Sequence, residues 1–302
     1  MGIKGLSTYL KHNITRSARE VALSDLSGLR VAVDASIYMY RGKGQEELVG
    51  SIYAMASTLR FHGVELTFVF DGTPPDEKKH TLAGRRARKG AAREELARIE
   101  SDASAARPPE LAARISRLRR DCATVTDDDV KSVKSLLTQM GIKHVDAIGE
   151  AELLCAQLER AGAVDACMSD DTDVFAYGCE RVIRYVSVMG RSAVLYETPG
   201  VIAEMGVNPS DFRDVCAAAG TDYSACNRGF PAAVRLYHAW RRDGSAPDFH
   251  SWIGSADSED LHAVSAMYDL AAHGDDLPAI KTPRENPACL RDLLGDHGFL
   301  FA

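Results

Sequence analysis

Seven carboxylates stand in five places where short apolar runs of the chain end. Asp34 closes LRVAVD, Asp71 closes ELTFVFD and Asp222 ends AAAGTD, while Glu150 and Glu152 stand two apart in IGEAEL and Asp171 and Asp173 two apart in SDDTDVF. An aspartate directly after a β-branched run sits at the carboxyl end of a strand, where open α/β sheets place their ligands. Several such ends side by side would gather acidic oxygens into one pocket. Carboxylates that close repel one another unless cations lie between them. An all-oxygen set suits magnesium or manganese, so the pattern points to metal-dependent phosphodiester chemistry.

The elements that must carry these residues follow from local pattern. A short helix over about 5–12 and a loop lead into a strand at 29–34. A helix over about 46–61 places Leu48, Ile52, Met55, Ala56 and Leu59 at helical spacing, and a second strand spans 65–70. Asp71-Gly-Thr-Pro-Pro then breaks the chain, because two prolines cannot continue a strand. Residues 77–101 and 109–120 read as two Ala- and Arg-rich helical arms joined by SDASAARPPE. Neither arm has a wide apolar stripe, which predicts a polar hairpin standing off the body. A helix over 126–140 opens on Thr126 as N-cap, with Asp127 to Asp129 in its first turn. Strands IKHVDA, VDACMSD and RVIRYV alternate with helices over about 150–161 and 171–177. After residue 198 the chain is helical, less regular over 243–262, with a last helix near 286–295. This alternation predicts an α/β fold whose mostly parallel sheet is flanked by helices on both faces.

Bulk composition sets the bounds. Hydrophobic residues make up 45% of the 302 and charged residues 26%, ordinary for one large α/β domain or a domain with an appended lobe. No run of about eighteen apolar residues offers a membrane span, and MGIKGLSTYLKHNITRS lacks the continuous apolar stretch of a signal peptide. Seven cysteines without a CxxC pair argue against zinc and against a disulfide framework, and for an intracellular setting. A net charge of −7 alone speaks against nucleic acid, but thirteen Lys or Arg face only five Asp or Glu between Lys78 and Arg120. A basic segment beside an acidic pocket is what a phosphate-backbone substrate needs.

MGIKGL, VAVDAS, VFDGTPP, GEAEL, SDDTDVFAYG and AGTDY occur in that order. Over roughly residues 1–240 the series resembles the Rad2/XPG structure-specific nucleases, the group of flap endonuclease and exonuclease 1. The resemblance implies a PIN-like core divided between 1–75 and 121–197, a helical arch or gateway over 76–120, and a C-terminal helical lobe over 198–302 with a modified helix–two-turn–helix. It also implies two magnesium ions, with manganese as a substitute. One would be held mainly by Asp34, Asp71, Glu150 and Glu152, the other by Asp171, Asp173 and Asp222, with Glu152 between the sets. Lys78 and Arg85 match basic positions of the gateway helix and join Asp171 as expected catalytic residues. Seven residues apart on one helix, the two would share a face near Asp71. Tyr40 matches the tyrosine on which the family stacks a base, and Tyr38 is expected to be structural. Lys79, Arg86, Arg88, Lys89, Arg228 and Gly229 complete the expected DNA contacts, and Gly2 is expected near the pocket.

Three departures qualify the resemblance. RGKGQEELVG after Tyr40 is shorter than the apolar wedge of flap endonucleases. NRGFPAAVRLYHAW keeps Gly229 and Pro231 of the family's potassium-holding hairpin but loses one glycine and the lysine, which leaves potassium binding there open. LGDHGFLFA lacks a recognisable sliding-clamp peptide. The expectation is a monomeric metal-dependent nuclease that cleaves at or near the 5′ ends or 5′ flaps of branched DNA, at intracellular sites of replication, repair or recombination. A 5′→3′ exonuclease or a PIN-type ribonuclease is the nearest alternative. A catalytically idle DNA-binding scaffold is the alternative from another class, although an architectural binder gains nothing from burying negative charge.

Overall fold

Val31 and Val33 belong to one buried apolar cluster and Ala32 between them to another. Successive residues of a strand point to opposite faces, so such a run needs cover on both sides. The computed structural model describes residues 2–101, 109–224, 226–274 and 276–299. In it this run is β2 (Arg30–Asp34), an inner strand of a seven-stranded sheet. The others are β1 (Ala18–Ala22), β3 (Glu65–Phe70), β4 (Lys143–Asp146), β5 (Ala166–Met168), β6 (Arg181–Ser187) and β7 (Ser192–Glu197), in the order β1-β7-β6-β5-β2-β3-β4. From β6 to β4 every pairing is parallel, while β7 runs antiparallel to both β6 and β1.

One face is covered by α2 (Ala35–Gly44), α3 (Leu48–Phe61), α6 (Asp127–Gln139) and α14 (Pro287–Asp296), whose Met39, Ile52, Leu136 and Leu294 share a cluster with Val33 and Phe68. The other face takes α1 (Leu6–Asn13), α7 (Ala151–Arg160) and α8 (Asp173–Ala176). With them pack α9 (Thr198–Glu204), α10 (Phe212–Ala219), α11 (Phe230–Asp243), α12 (Phe249–Ile253) and α13 (Ser255–Met267). The pair α4 (Lys79–Ser101) and α5 (Pro109–Cys122) lies against neither face of the sheet. Among the described residues no helix is long and apolar enough to cross a membrane.

The α/β class and mostly parallel sheet are as expected, with four local differences. Strand β1 replaces part of the expected loop, and β7 follows β6 where no strand was expected. AREVA carries two exposed charged residues because it is the sheet's edge, and that hides its pairing. Helix α2 starts directly at Asp34. Its two glycines, Gly42 and Gly44, weaken the helical pattern, while Tyr38 and Met39 bury it. Over 243–262, α12 and α13 replace the expected irregular segment. Asp248 caps α12 by accepting the Ser251 N–H at 2.7 Å, and Gly254, at φ 98°, makes the break between them. Finally, the α4–α5 pair leans on the body. Ile115 and Leu118, three apart on α5, are buried, and α5 packs against α2. Most of the linker expected between the arms, 102–108, lies outside the described residues.

Phe230 is the fully buried first residue of α11. Its ring meets Tyr9 edge-on at 5.1 Å, and its N–H donates to the Lys4 carbonyl at 2.7 Å. Phe230→Ala is expected to destabilise the fold by about 3–5 kcal/mol, measured by urea denaturation, because it empties a site that joins α1 to α11.

Candidate active site

The strand order brings the acidic segments side by side. Across β5-β2-β3-β4, Asp171 lies just past β5, Asp34 ends β2, Asp71 follows β3, and Glu150 follows β4 as the N-cap of α7. Glu152 sits in the first turn of α7. These five carboxylates line one pocket of about 230 Å³ together with Tyr40, Lys78 and Arg85. Asp173 adjoins it, its N–H donating to Asp171 Oδ1 at 3.2 Å, and Asp222 adjoins it through Arg85.

Neutral donors hold several of these oxygens in place. Ser169 Oγ donates to Asp34 Oδ2 at 2.8 Å and accepts the Asp171 N–H at 3.0 Å, so one hydroxyl ties β2 to the loop after β5. Ser36 donates its hydroxyl to Asp71 and its N–H to Asp34 Oδ1 at 3.1 Å. The Ala151 N–H donates to Asp71 Oδ1 at 2.9 Å. Tyr223 donates to Glu150, and Tyr268 to Asp173 Oδ1 at 3.1 Å.

Burial and like charge act together here. Burial, then Asp71, pushes the Asp34 carboxyl up to about 8. Burial followed by Asp34 and Asp171 raises Glu152 well above the carboxylate range, and burial followed by Asp171 does the same to Asp173. Asp173 Oδ2 is buried without a hydrogen-bond partner. Crowded, partly unsatisfied carboxylate oxygens with no sulfur or imidazole among them fit hard divalent cations.

Two cations reach this cluster, from different elements. Lys78 closes a 3₁₀ turn (Asp76–Lys78) ahead of α4, rather than lying on the same helix as Arg85 as expected. Its ammonium is buried and lies 2.6 and 2.7 Å from the two Glu150 oxygens. Burial alone would lower its pKa, but Glu152 and Glu150 outweigh that and hold it above the ordinary lysine value. Arg85 pairs with Asp222, whose carbonyl accepts the Thr81 hydroxyl at 2.6 Å.

The expected DNA contacts are more scattered. Tyr40 is 39% exposed at the pocket, with the Lys89 ammonium 4.7 Å from its ring centroid. Arg86 and Arg88 are exposed on α4, and the side chain of Lys79 lies outside the described residues. Arg228 donates to Cys226 Sγ at 3.3 Å, and Gly229, at φ 80°, caps α11. Near the hairpin the Cys226 carbonyl accepts the Lys4 ammonium at 2.6 Å, and Ala225 lies outside the described residues. Gly2 packs where expected: at φ 77°, a Cβ there would collide with Asp171, Asp173 and Thr172 oxygens.

Sequence reasoning missed Ser36, Ser169, Tyr223 and Tyr268. The first three lie within two residues of a named carboxylate, whereas Tyr268 has no local signal. It also missed that Glu159, Cys167 and Cys179 converge, with the two Sγ atoms 3.3 Å apart. That cluster is satisfied internally, since Glu159 accepts the Glu180 and Arg181 N–H groups and Cys167 donates to the Cys155 carbonyl.

Known proteins place this geometry. The XPG N-terminal domain model matches residues 1–92 and the XPG I-region model residues 141–222. Flap endonuclease 1 of Drosophila yakuba is 30% identical over 264 residues, 80% of this chain. The chain spans 66% of that relative's length. The catalytic core of Rad2 in complex with DNA substrate superposes with a TM-score of 0.70 at 20% identity, covering 98% of this chain and 95% of the other. Human GEN1 in complex with Holliday junction DNA superposes with a TM-score of 0.66 at 19% identity, covering 99% and 74%. With both domain models matched in order over more than half of its residues, the chain belongs to the Rad2/XPG family.

Proposed function

We propose that this chain is a divalent-metal-dependent structure-specific DNA nuclease that cleaves phosphodiester bonds at or near 5′ ends or 5′ flaps. The observation that carries the reading is the meeting of seven carboxylates, from five segments, with two arch-side cations around one pocket. Its membership of a family with flap endonuclease relatives supports it.

Asp34, Asp71, Glu150 and Glu152 would hold one magnesium or manganese ion, and Asp171, Asp173 and Asp222 the other. When bound, such ions supply a water of lowered pKa and neutralise charge at the scissile phosphate. The remaining work falls to the chain's own groups. The Lys78 ammonium and the Arg85 guanidinium donate to phosphate oxygens as negative charge grows there. Tyr40 offers an aromatic face for a base beside the cut. The α4–α5 pair, over 76–120, serves as an arch whose Arg86, Arg88 and Lys89 follow the phosphate backbone. Arg228 and Gly229 form the corresponding contact on the C-terminal lobe.

The purified chain should cleave at least one of 5′-flap, nicked, blunt-duplex, Holliday-junction and single-stranded DNA in magnesium and none in chelator. Loss of cleavage on the whole panel in magnesium would refute the reading, and the preferred substrate separates flap cutting from 5′→3′ exonuclease action. Asp171→Ala is expected to lower the single-turnover rate by at least about 100-fold while DNA affinity, read by fluorescence anisotropy, stays within a few-fold.

The crowded acids also predict a pH dependence of stability. Asp34 is raised to about 8 when folded, against an ordinary carboxyl value of 3.8, so its contribution is full below the unfolded value and is lost as pH rises through about 8. In chelator, the melting temperature should therefore fall between about pH 5 and 8, each such group costing up to about 1.4 kcal/mol per pH unit. Magnesium should flatten that slope, and Asp34→Asn should remove part of it. Both are read by thermal denaturation.

A further inference from the structure

The hydrogen-bond donor to the Asp173 side chain comes from a distant part of the sequence. Tyr268, 95 residues further on and just past α13, donates its hydroxyl to Asp173 Oδ1 at 3.1 Å. The ring is 1% exposed and is held edge-on by Tyr177 at 5.0 Å and by Tyr223 at 5.6 Å. The hydroxyl therefore has little freedom to move.

Its chemistry differs from that of the cations at Glu150 and Asp222, although Glu150 also accepts the Tyr223 phenol. Those carboxylates pair with the Lys78 and Arg85 cations, which compete with a metal ion for the same negative charge. A phenol donates without neutralising. Asp173 thus has one oxygen pinned by a neutral donor and the other, Oδ2, buried and unpartnered.

We propose that Tyr268 is a positioning residue for the acidic centre, fixing Asp173 through Oδ1 so that Oδ2 is presented to a divalent ion. The inference rests on the two-ion reading of the pocket. It gives the end of α13 an indirect part in holding metal, because groups that orient a ligand typically govern affinity 10–100-fold.

The test is calorimetric titration of the DNA-free chain with manganese chloride. The wild-type chain is expected to bind two ions. Tyr268→Phe retains the ring and its edge contacts and is expected to weaken one ion by about tenfold or more, leaving the other unchanged. In an Asp173→Asn background the same substitution should cause no further loss, because both act through the Asp173 side chain. Two ions bound equally by wild type and Tyr268→Phe would overturn this inference alone. Additive losses in the double variant would also overturn it, by placing the effect away from Asp173. A wild-type chain that takes up no manganese would overturn the proposed function and this inference together. Circular dichroism of each variant separates loss of metal affinity from loss of fold, and a Tyr268→Phe chain that fails to fold would overturn the inference by making the hydroxyl's role structural.

Discussion

Like charge crowded at the carboxyl edge of a parallel sheet is the constraint on which the rest of the structure depends. Asp34, Glu152, Asp171 and Asp173 are all buried, and burial and proximity both oppose ionisation of Asp34, Glu152 and Asp173. A fold can hold such a cluster only by surrounding it with donors or with positive charge. It uses both, and the two kinds come from different parts of the chain. Hydroxyl and amide donors, from Ser36, Ser169 and Ala151, belong to the elements that carry the acids themselves. The positive charge comes from the 3₁₀ turn ahead of α4, with Lys78, and from the second turn of α4, with Arg85.

That division has a mechanical consequence. Lys78, Thr81 and Arg85 tie the first two turns around the start of α4 to Glu150 and Asp222. Beyond them the helix carries exposed arginines, and its contacts to α5 include a Glu95–Arg114 pair at the surface, which adds little stability. The position of α4 is thus set at its base by the acidic pocket. Any cation entering the pocket competes with Lys78 and Arg85 for the same oxygens, so occupancy of the pocket and the seating of α4 are linked through shared charge.

How much of this could be read from the sequence depends on how local each signal is. Asp34 and Asp71 were legible because a β-branched run ending in aspartate marks a strand end, and the parallel order of β5, β2 and β3 then brings such ends together. The Lys78 and Arg85 spacing was legible in distance but not in element, because Pro74 and Pro75 force a 3₁₀ turn before the helix can begin. Strand β1 was not legible, since an edge strand alternates charged and apolar residues for solvent rather than for a core. The convergence of Cys167 and Cys179 was not legible either. They are brought together by β5 and the connection between α8 and β6, and no CxxC spacing announces a pair made by tertiary structure.

The same distinction separates finding the acidic site from explaining its rigidity. Asp173 is confined from two sides by residues far away in sequence. The Gly2 backbone lies so close that any side chain there would strike Asp171 and Asp173, and the Ile3 N–H bonds Thr172 Oγ1 at 2.8 Å. Lys4 then joins this segment to the C-terminal lobe through the Gly220 carbonyl and the Phe230 N–H. Tyr268 approaches from that lobe. Carboxylates alone would move to relieve their repulsion. Closing the amino-terminal segment and the late helices around Asp173 removes that freedom, so the repulsion is not relieved by spreading the oxygens apart.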